Sequence, residues 1–350
     1  MINDFTKKEA PVLSTLGLGG GNASRSFLSG AVVLGNRSLR FSDTSTYLNR
    51  TPSSTTNRTT WTWSGWVKRC SDSSRDSLFR ASTGGANYTL LKFRGTGGGQ
   101  DYRISLDQYG GDNFYVYTDA EFRDMGAWYH VVCAVDTTQG TDTNRVKIYV
   151  NGVQQTLSTS TNLPGSSINT RMNDSSYPHY ISYNTGTNVM NGLITDVHFI
   201  DGSQLTPSSF GAADSNGVWQ RSTYSGSYGT NGFHILDFAN DGTIGNDTSG
   251  NGNNFTANGF SETAGSGNDV LFDFPTNDTV NTDAGAGGEV IGNYCVFNSL
   301  NKGNDVTLSN GNLQAACTSS SKDGVFGTIG VSSGKYYWEV ELTSADGNTN

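Results

Sequence analysis

The stretches WTWSGWVKR (Trp61–Arg69) and WYHVVCAVD (Trp128–Asp136) decide the fold that this sequence predicts. In an extended chain every second side chain faces the same side, so a strand shows a period of two. Trp61 and Trp63 share one such face, and large apolar residues fill the second stretch. Alternating runs rich in aromatic and β-branched residues are typical of strands in a sheet. We therefore predict two long strands, Thr60–Arg69 and Trp128–Asp136, whose tryptophans, Trp66 included, are buried in a protein core.

Similar runs recur along the chain and are separated by turn residues, as expected for a sandwich of antiparallel strands. The further predicted strands are Leu39–Ser42, Ser77–Ser82, Tyr88–Arg94, Tyr102–Asp107, Asn113–Thr118, Arg145–Val150, Tyr180–Tyr183 and Leu193–Ile200. Asn151-Gly152 is a dipeptide that type I′ hairpins prefer, since both turn positions need a positive φ. The one short helical signal is LTPSSFG, in which Pro207 can occupy the first helical position.

The composition agrees with a folded, strand-rich protein and excludes several classes of function. Charged residues make up 15% and aromatic residues 11% of the 350 residues, which disfavours both long solvated helices and a disordered chain. The net charge of −9 would not attract a phosphate backbone or an anionic membrane, so neither nucleic acid nor a membrane is an expected partner. The first residues lack the apolar core of a signal peptide. We therefore expect synthesis in a cytoplasm, where the four cysteines stay free thiols.

Three segments resemble the signature strands of the concanavalin A-like sandwich in its laminin G-like variety. They are WTWSGWVKR, the pair WYHVVCAVDTT and KIYVNGVQ, and NGLITDVHFIDG at Asn191–Gly202. The resemblance covers roughly Ser38 to Gly202. It implies a jelly roll made of two antiparallel sheets.

Two later segments carry resemblances of their own. FGAADSNGVWQRSTYSGSYGTNGFHILDF, followed by DTSGNGNNFTANGF, resembles a connector that follows this sandwich in structural proteins of marine tailed phages. Residues 233–260 either close the first sandwich, which we favour, or begin a new unit. VFGTIGVSSGKYYWEVELTS at Val325–Ser344 resembles the opening strands of a SPRY-type β-sandwich, which implies that the natural chain continues. The predicted fold class is all-β: an antiparallel, concanavalin A-like jelly-roll β-sandwich plus a partial second β-sandwich.

These resemblances, and the glycine-rich stretches between them, give a predicted domain organisation. Residues 1–32 are expected to form an N-terminal arm that docks on a virion, and residues 33–258 to form the sandwich with its connector. Residues 259–290, rich in glycine, alanine, aspartate and asparagine, are expected to be a linker. Residues 291–350 are expected to begin the SPRY-like sandwich.

The sequence lacks the motifs of the commoner enzyme classes. Laminarinase-like members of the superfamily carry a Glu-x-Asp-x-x-Glu strand, and glycoside hydrolysis needs two carboxylates at a fixed separation. Among the six glutamates only Glu339 and Glu341 lie close together, and they alternate along the SPRY-like run as outward polar residues do. The G-x-S-x-G string around Ser332 precedes a predicted strand, whereas a nucleophile elbow leads into a helix. We do not expect an enzyme, although a pair of aspartates stays an open alternative.

Calcium is the metal that the sequence favours, because hard cations take carboxylate and amide oxygens from loops. Asp241, Asp247 and Asn251 supply such oxygens, and related folds often bind calcium near a glycan site. The alternative is an array of Asx turns. The histidines are dispersed and show no paired ligand spacing: His130, His179, His198 and His234. His130, on a predicted core strand, is expected to be structural.

Carbohydrates are recognised by aromatic faces together with amides and carboxylates that bind hydroxyl groups. The loop RMNDSSYPHYISYN (Arg171–Asn184) offers this chemistry. Its candidate glycan-binding residues are Asn173, Asp174, Tyr177, His179 and Tyr180. The alternative is an ordinary polar loop of the sandwich.

The function that these resemblances imply is that of a virion structural protein of a tailed phage, as a tail fibre or another appendage subunit. Its lectin-like domain would attach to host-surface glycan, and its arm would bind other virion proteins. Homo-oligomers, trimers by the habit of fibres, would add multivalency. The expected location is the exterior of the phage particle after assembly in the host cytoplasm. Two alternatives stay open: a polysaccharide depolymerase on the same fold, and a ligand-free structural spacer or decoration protein.

Overall fold

The computed structural model of the chain describes residues 37–42, 45–70, 76–95, 101–159, 162–182, 189–236, 243–263, 267–271, 273–275, 295–317, 323–330 and 338–342. The predicted arm, residues 1–32, lies outside the described residues. The strands are β1 (Ser38–Phe41), β2 (Tyr47–Arg50), β3 (Thr60–Arg69), β4 (Ser77–Ser82), β5 (Tyr88–Phe93), β6 (Ile104–Tyr109), β7 (Phe114–Thr118), β8 (Trp128–Asp136), β9 (Val146–Val150), β10 (Val153–Gln154), β11 (Leu157–Thr159), β12 (His179–Ile181), β13 (Gly192–Asp201), β14 (Gly211–Ala213), β15 (Trp219–Arg221), β16 (Phe233–Ile235), β17 (Thr256–Asn258), β18 (Val270–Leu271), β19 (Phe297–Lys302), β20 (Val306–Ser309), β21 (Gln314–Cys317) and β22 (Val325–Gly327).

Two sheets of eight strands each make up the main body. The first sheet has the order β10-β9-β8-β3-β13-β1-β18, with β16 also paired to β13. The second has the order β11-β7-β6-β5-β4-β12-β2-β17. The strand pairs in both sheets are antiparallel, so the predicted all-β, antiparallel class is confirmed.

The main core lies between the two sheets. Trp61 and Trp63 of β3 have no exposed surface, and neither has Phe79 of the second sheet. The Phe199 ring links the two layers, since its centroid lies 5.9 Å from that of Trp61 and 5.2 Å from that of Phe79. Aromatic side chains of this size supply much of the apolar area that a sandwich buries. Truncating one of these tryptophans to alanine would cost about 3–5 kcal/mol of stability.

The ten predicted strands are present, and their bounds differ from prediction by at most two residues. The predicted end of one strand, Tyr183, lies outside the described residues. Asn151 and Gly152 have φ of 48° and 82°, as the type I′ hairpin requires. The helical signal forms a three-residue 3₁₀ turn at Pro207–Ser209. Six strands of the sheets were not predicted, because two to four residues carry no readable period: β2, β10, β11, β16, β17 and β18.

The outer face of the first sheet is also covered. Trp66 and Trp128 are 4% and 8% exposed, so their predicted burial is confirmed. They pack with Leu193 in a cluster that Trp219 of the connector covers, away from the core between the sheets. A second connector residue, Phe210, covers the apolar part of β8 on this face. The sheet therefore has two buried faces, which explains why β8 reads as a nearly continuous apolar run.

The connector also extends both sheets. Phe233 and Ile235 of β16 pair with Phe199 and Val197 of β13 in the first sheet. β17 pairs with β2 at the far edge of the second sheet. Residues 233–258 thus contribute strands to the same sandwich that β1 to β13 form.

A short segment, residues 267–271 and 273–275, lies within the stretch that was expected to be a linker, and we call it the strap. Its strand β18 pairs with β1 at the edge of the first sheet. Two buried ion pairs hold it, Arg40 Nε to Asp269 Oδ1 at 3.0 Å and Lys68 Nζ to Asp273 Oδ2 at 2.9 Å. Isolated buried charges are costly, so each carboxylate of the strap offsets the charge of a buried cation on the sheet.

The described residues from 295 onward form two small ladders, β19 with β22 and β20 with β21. Their apolar side chains are much more exposed than those of the sandwich: Phe326 is 65% and Trp338 78% exposed. Part of the predicted SPRY-like run, residues 331–337, lies outside the described residues. The domain boundaries and the SPRY-like assignment stay predictions.

Candidate functional site

The loop predicted to bind glycan is folded inward at Asn173. The Asn173 side chain has no exposed surface, and its backbone is left-handed with φ of 62°. Its Nδ2 donates to the Asn57 carbonyl at 2.7 Å and to Asp201 Oδ1 at 3.0 Å. Asn173 therefore joins the loop to two other segments of the sandwich.

His179 and Asp174 are also engaged within the protein. His179 Nε2 accepts from the Asn173 backbone N–H at 3.0 Å, and its Nδ1 donates to the Tyr177 carbonyl at 2.8 Å. Burial lowers the pKa of His179 to about 3, so the imidazole is neutral at pH 7. Asp174 pairs with Arg58 at 3.0 Å.

The two predicted tyrosines are partly buried. Tyr177 packs against the main core, with the Arg171 guanidinium 5.3 Å from its ring centroid. The Tyr180 ring lies 6.3 Å from that of Tyr47. The structure therefore brings the five predicted residues together, but it uses Asn173 and His179 as internal braces. Glycan binding by this loop stays a prediction.

The predicted calcium residues do not fit a cation site where they are described. Both carboxylate oxygens of Asp247 are occupied, Oδ1 by the backbone N–H groups of His234 and Ser249, and Oδ2 by Ser249 Oγ and the Asn253 N–H. The Asn251 amide nitrogen donates to two backbone carbonyls. The third residue, Asp241, lies outside the described residues. This pattern matches the Asx-turn alternative, and calcium binding stays untested.

A groove opens where the margins of the two sheets meet, at the passage of the chain from β10 to β11. One cavity there has a volume of about 750 Å³ and the adjoining one about 590 Å³. Thr159 and Leu163 line both, so the two cavities adjoin, and we call them together the margin groove. Volumes of this order suit a small ligand.

The lining of the margin groove combines amides, hydroxyls and one aromatic ring. The larger cavity is lined by Tyr117, Thr143, Val146, Gln154, Gln155, Thr156, Leu157, Ser158, Thr159 and Leu163. The smaller cavity adds Asp112, Asn113, Asp142, Arg145 and Asn162. Gln154 and Thr159 are exposed and Tyr117 is half-buried, so their polar groups face solvent. Sequence reasoning missed this groove because its residues come from three separate stretches, between positions 112 and 117, 142 and 146, and 154 and 168.

The structure also brings together three residues that the sequence did not connect. Asp196 and His198 lie on β13, and His234 on β16 pairs directly with His198. Asp196 Oδ1 lies 3.1 Å from His198 Nε2 and 2.8 Å from His234 Nε2. The one local signal is the Asp-x-His spacing, since His234 lies in the connector, far along the chain from β13. Burial raises the pKa of the Asp196 carboxyl, but His198 and His234, through their charge and hydrogen bonds, hold it well below its usual range.

His130 is structural, as expected. Trp219 Nε1 donates to His130 Nδ1 at 2.9 Å, so the remaining proton is on Nε2, 2.8 Å from Ser64 Oγ. Burial lowers the pKa of His130 to about 3. The pair considered for catalysis, Glu339 and Glu341, is exposed. Enzymatic activity stays untested.

Comparison with known proteins relates the sandwich to a known family. Residues 42–209 match the family described as the concanavalin A-like lectin/glucanases superfamily, in its laminin G type. The match covers 168 of the 350 residues and includes the long strands β3, β8 and β13. A search of curated proteins found no match. Within the described residues no helix is long and apolar enough to cross a membrane.

Several solved structures are similar at low identity. A native heptameric SAP-like pentraxin from Limulus polyphemus is 16% identical, with a TM-score of 0.37, and the match covers 50% of this chain and 80% of that one. Domain 4 of the extracellular arabinanase AbnA from Geobacillus stearothermophilus, in complex with arabinotriose, is 21% identical, with a TM-score of 0.32 and coverage of 44% and 65%. The sialidase CBM40 of Ruminococcus gnavus, bound to α2,3 sialyllactose, is 13% identical, with a TM-score of 0.33 and coverage of 46% and 89%.

Proposed function

We propose that this protein binds carbohydrate through the margin groove. The observation that carries the proposal is the lining of that groove, which includes the aromatic side chain of Tyr117 and the exposed amide of Gln154. Sugars present C–H faces that pack on aromatic rings and hydroxyls that pair with amides and carboxylates. Asp112 and Asp142 extend these acceptors into the adjoining cavity.

The lectin-like fold of the domain supports this proposal. The biological setting that we propose is the exterior of a tailed phage particle, where an appendage subunit would attach to glycan on the host surface. Its support is the resemblance of the connector to phage structural proteins. Weak single-site binding would gain from several copies on one particle, so we also propose a homo-oligomer.

The experiment measures binding of the purified chain to a panel of bacterial surface polysaccharides. Tyr117→Ala should lower the affinity for a bound polysaccharide about tenfold, because a lost aromatic contact is worth about 1.4 kcal/mol. Tyr109→Ala is the matched control, since Tyr109 is 51% exposed on the neighbouring strand β6 and does not line the groove. Equal losses in the two variants would contradict a site in the groove.

The same samples separate the alternatives. Release of reducing ends would make the protein a depolymerase, and absence of binding across the panel would favour the ligand-free spacer. Repeating the measurement in a calcium chelator, and then restoring CaCl₂, tests the calcium prediction. Light scattering of the free chain gives its oligomeric state.

A further inference from the structure

The cluster of Asp196, His198 and His234 joins the sandwich to its connector. The ligating atoms of the three side chains all lie within 4.8 Å of one another. Asp196 and His198 are each 2% exposed, and the His234 side chain is 14% exposed. Asp196 lies in the β-bulge of β13, with φ of 54°. A strained residue in a bulge is a common way to aim a side chain, and here it is aimed between two imidazoles.

The outer nitrogens of both imidazoles are held by hydroxyl groups. His198 Nδ1 lies 2.9 Å from the Tyr228 hydroxyl, and His234 Nδ1 lies 2.9 Å from Thr248 Oγ1. Histidine ligands of metals are oriented in this way, by a hydrogen bond to the nitrogen that does not bind the ion. A hydroxyl can accept as well as donate. Each hydroxyl can therefore accept a hydrogen bond from Nδ1–H, which leaves the lone pair on Nε2 of the same ring.

The contacts of Thr248 bear on which ring nitrogen of His234 carries the proton. Its hydroxyl has one proton, and Oγ1 lies 3.0 Å from the His234 carbonyl, which can only accept. When the proton is donated there, Nδ1 donates to Oγ1 and Nε2 presents a lone pair to Asp196 Oδ1, 2.8 Å away. In that arrangement a cation between Nε2 and Oδ1, either a second ring proton or a metal ion, removes the repulsion between the two atoms.

We propose that Asp196, His198 and His234 bind a divalent cation of borderline softness, with zinc the best match, which ties the connector to the sandwich. Two imidazoles and one carboxylate are a donor set that zinc takes readily, with bonds of about 2.0–2.2 Å. Adjacent ligands of a tetrahedral ion with such bonds lie about 3.3 Å apart. The two observed oxygen-to-nitrogen distances, 3.1 and 2.8 Å, need only a small expansion to reach that value.

The stacking of the His198 and His234 rings means that one ring must turn before both can bind the same ion. The centroids of His198 and His234 lie 4.0 Å apart and their planes differ by 10°. An ion lies near the plane of each imidazole that binds it, so two parallel rings cannot both bind until one turns. His234 is the more exposed of the two, so we expect its ring to be the one that turns. Zinc binding should therefore unstack the pair and shift the NMR signals of both rings.

The test titrates the full chain, freed of metal with a chelator and dialysed, with ZnCl₂ in a calorimeter. We expect one zinc per chain, and a melting temperature that rises with the zinc concentration because the ion binds only the folded state. Co²⁺ in the same site should show the strong visible absorption of a tetrahedral ion. Absence of saturable binding of either ion would overturn the proposal.

Variants locate the site. His234→Gln and Asp196→Asn should each weaken zinc binding at least 100-fold, and Thr248→Val about tenfold, as loss of an outer hydrogen bond to a ligand does. His179→Gln is the matched control, because it removes a buried histidine on the second sheet and should leave zinc affinity unchanged. His234 lies at the rim of the cluster, so its variant remains informative if Asp196→Asn does not fold. Unchanged affinity in His234→Gln would refute the site.

Discussion

Two polar regions of the sandwich contain the same residue types and use them in opposite ways. In the loop at residues 171–182, Asn173 and His179 turn their polar atoms inward, where backbone groups of the sandwich bind them. In the margin groove, Gln154 and Thr159 turn theirs to solvent. Amide and hydroxyl content therefore does not indicate a binding surface by itself. What decides is whether the protein's own backbone already uses those groups.

The position of each region in the fold explains the difference. The loop packs beside segments whose backbone groups lack strand partners, and Asn173 supplies the missing donor to the Asn57 carbonyl. The margin groove lies at the edge strands β10 and β11, each of which pairs with a single neighbouring strand among the described residues. An edge strand faces solvent along one side. Side chains at that edge can therefore contact a ligand.

The largest expected effect is on the free energy of unfolding, and it distinguishes the loop at residues 171–182 from the margin groove. Asn173→Ala removes two donated hydrogen bonds and places a residue with a Cβ, but no local side-chain hydrogen bond, at φ of 62°. We expect a loss of about 3 kcal/mol in the free energy of unfolding. Gln154→Ala, in the groove, should change it by less than about 0.5 kcal/mol. Urea unfolding of the two variants measures both, and similar losses would break the comparison.

The second expected effect is a loss of stability at acidic pH. The pKa of His179 is lowered from 6.5 to about 3 in the folded loop, so below pH 6.5 the unfolded chain binds a proton that the folded chain does not. The free energy of unfolding should therefore fall as the pH falls from about 6.5 towards 3, by at most about 1.4 kcal/mol per unit for this group. His179→Gln should show a shallower slope between pH 7 and pH 5. The contribution of His130 has the same sign and remains in both proteins.

The smallest expected effect concerns ligand affinity. Gln154→Ala should weaken polysaccharide binding three- to tenfold, the loss of about one hydrogen bond. Ser176→Ala, at an exposed position of the loop, should leave both affinity and melting temperature unchanged. A loss of affinity in Ser176→Ala would return the glycan site to the loop, as the sequence first suggested.

The sequence predicted the long strands well and the short ones poorly. β3 and β8 were predicted at their observed bounds, because nine or ten residues repeat the alternation several times. β10 has only two residues and no alternation to read. The strap was expected to be a linker from its composition, yet its two aspartates pair with Arg40 and Lys68 more than 200 positions away. Long-range charge pairing of this kind leaves no local pattern.

The candidate sites were less accessible to sequence reasoning than the fold. Tyr117, Gln154 and Thr159 meet only because the chain passes from the first sheet to the second after β10. His234 reaches Asp196 through the pairing of β16 with β13, and composition says nothing about such a pairing. The predicted loop residues do lie together, but the sequence could not show which of their atoms the fold itself would use.

The position of β1 has a consequence for how the chain folds during synthesis. β1 emerges early from the ribosome, yet its neighbours are β13 and the strap strand β18. At about 5–20 residues per second, β1 must wait on the order of ten seconds or more for those partners. During that interval its edges are open to any other strand in the cell. A chaperone that covers the nascent chain until residue 275 is made should therefore raise the yield of folded protein more than one that acts after release.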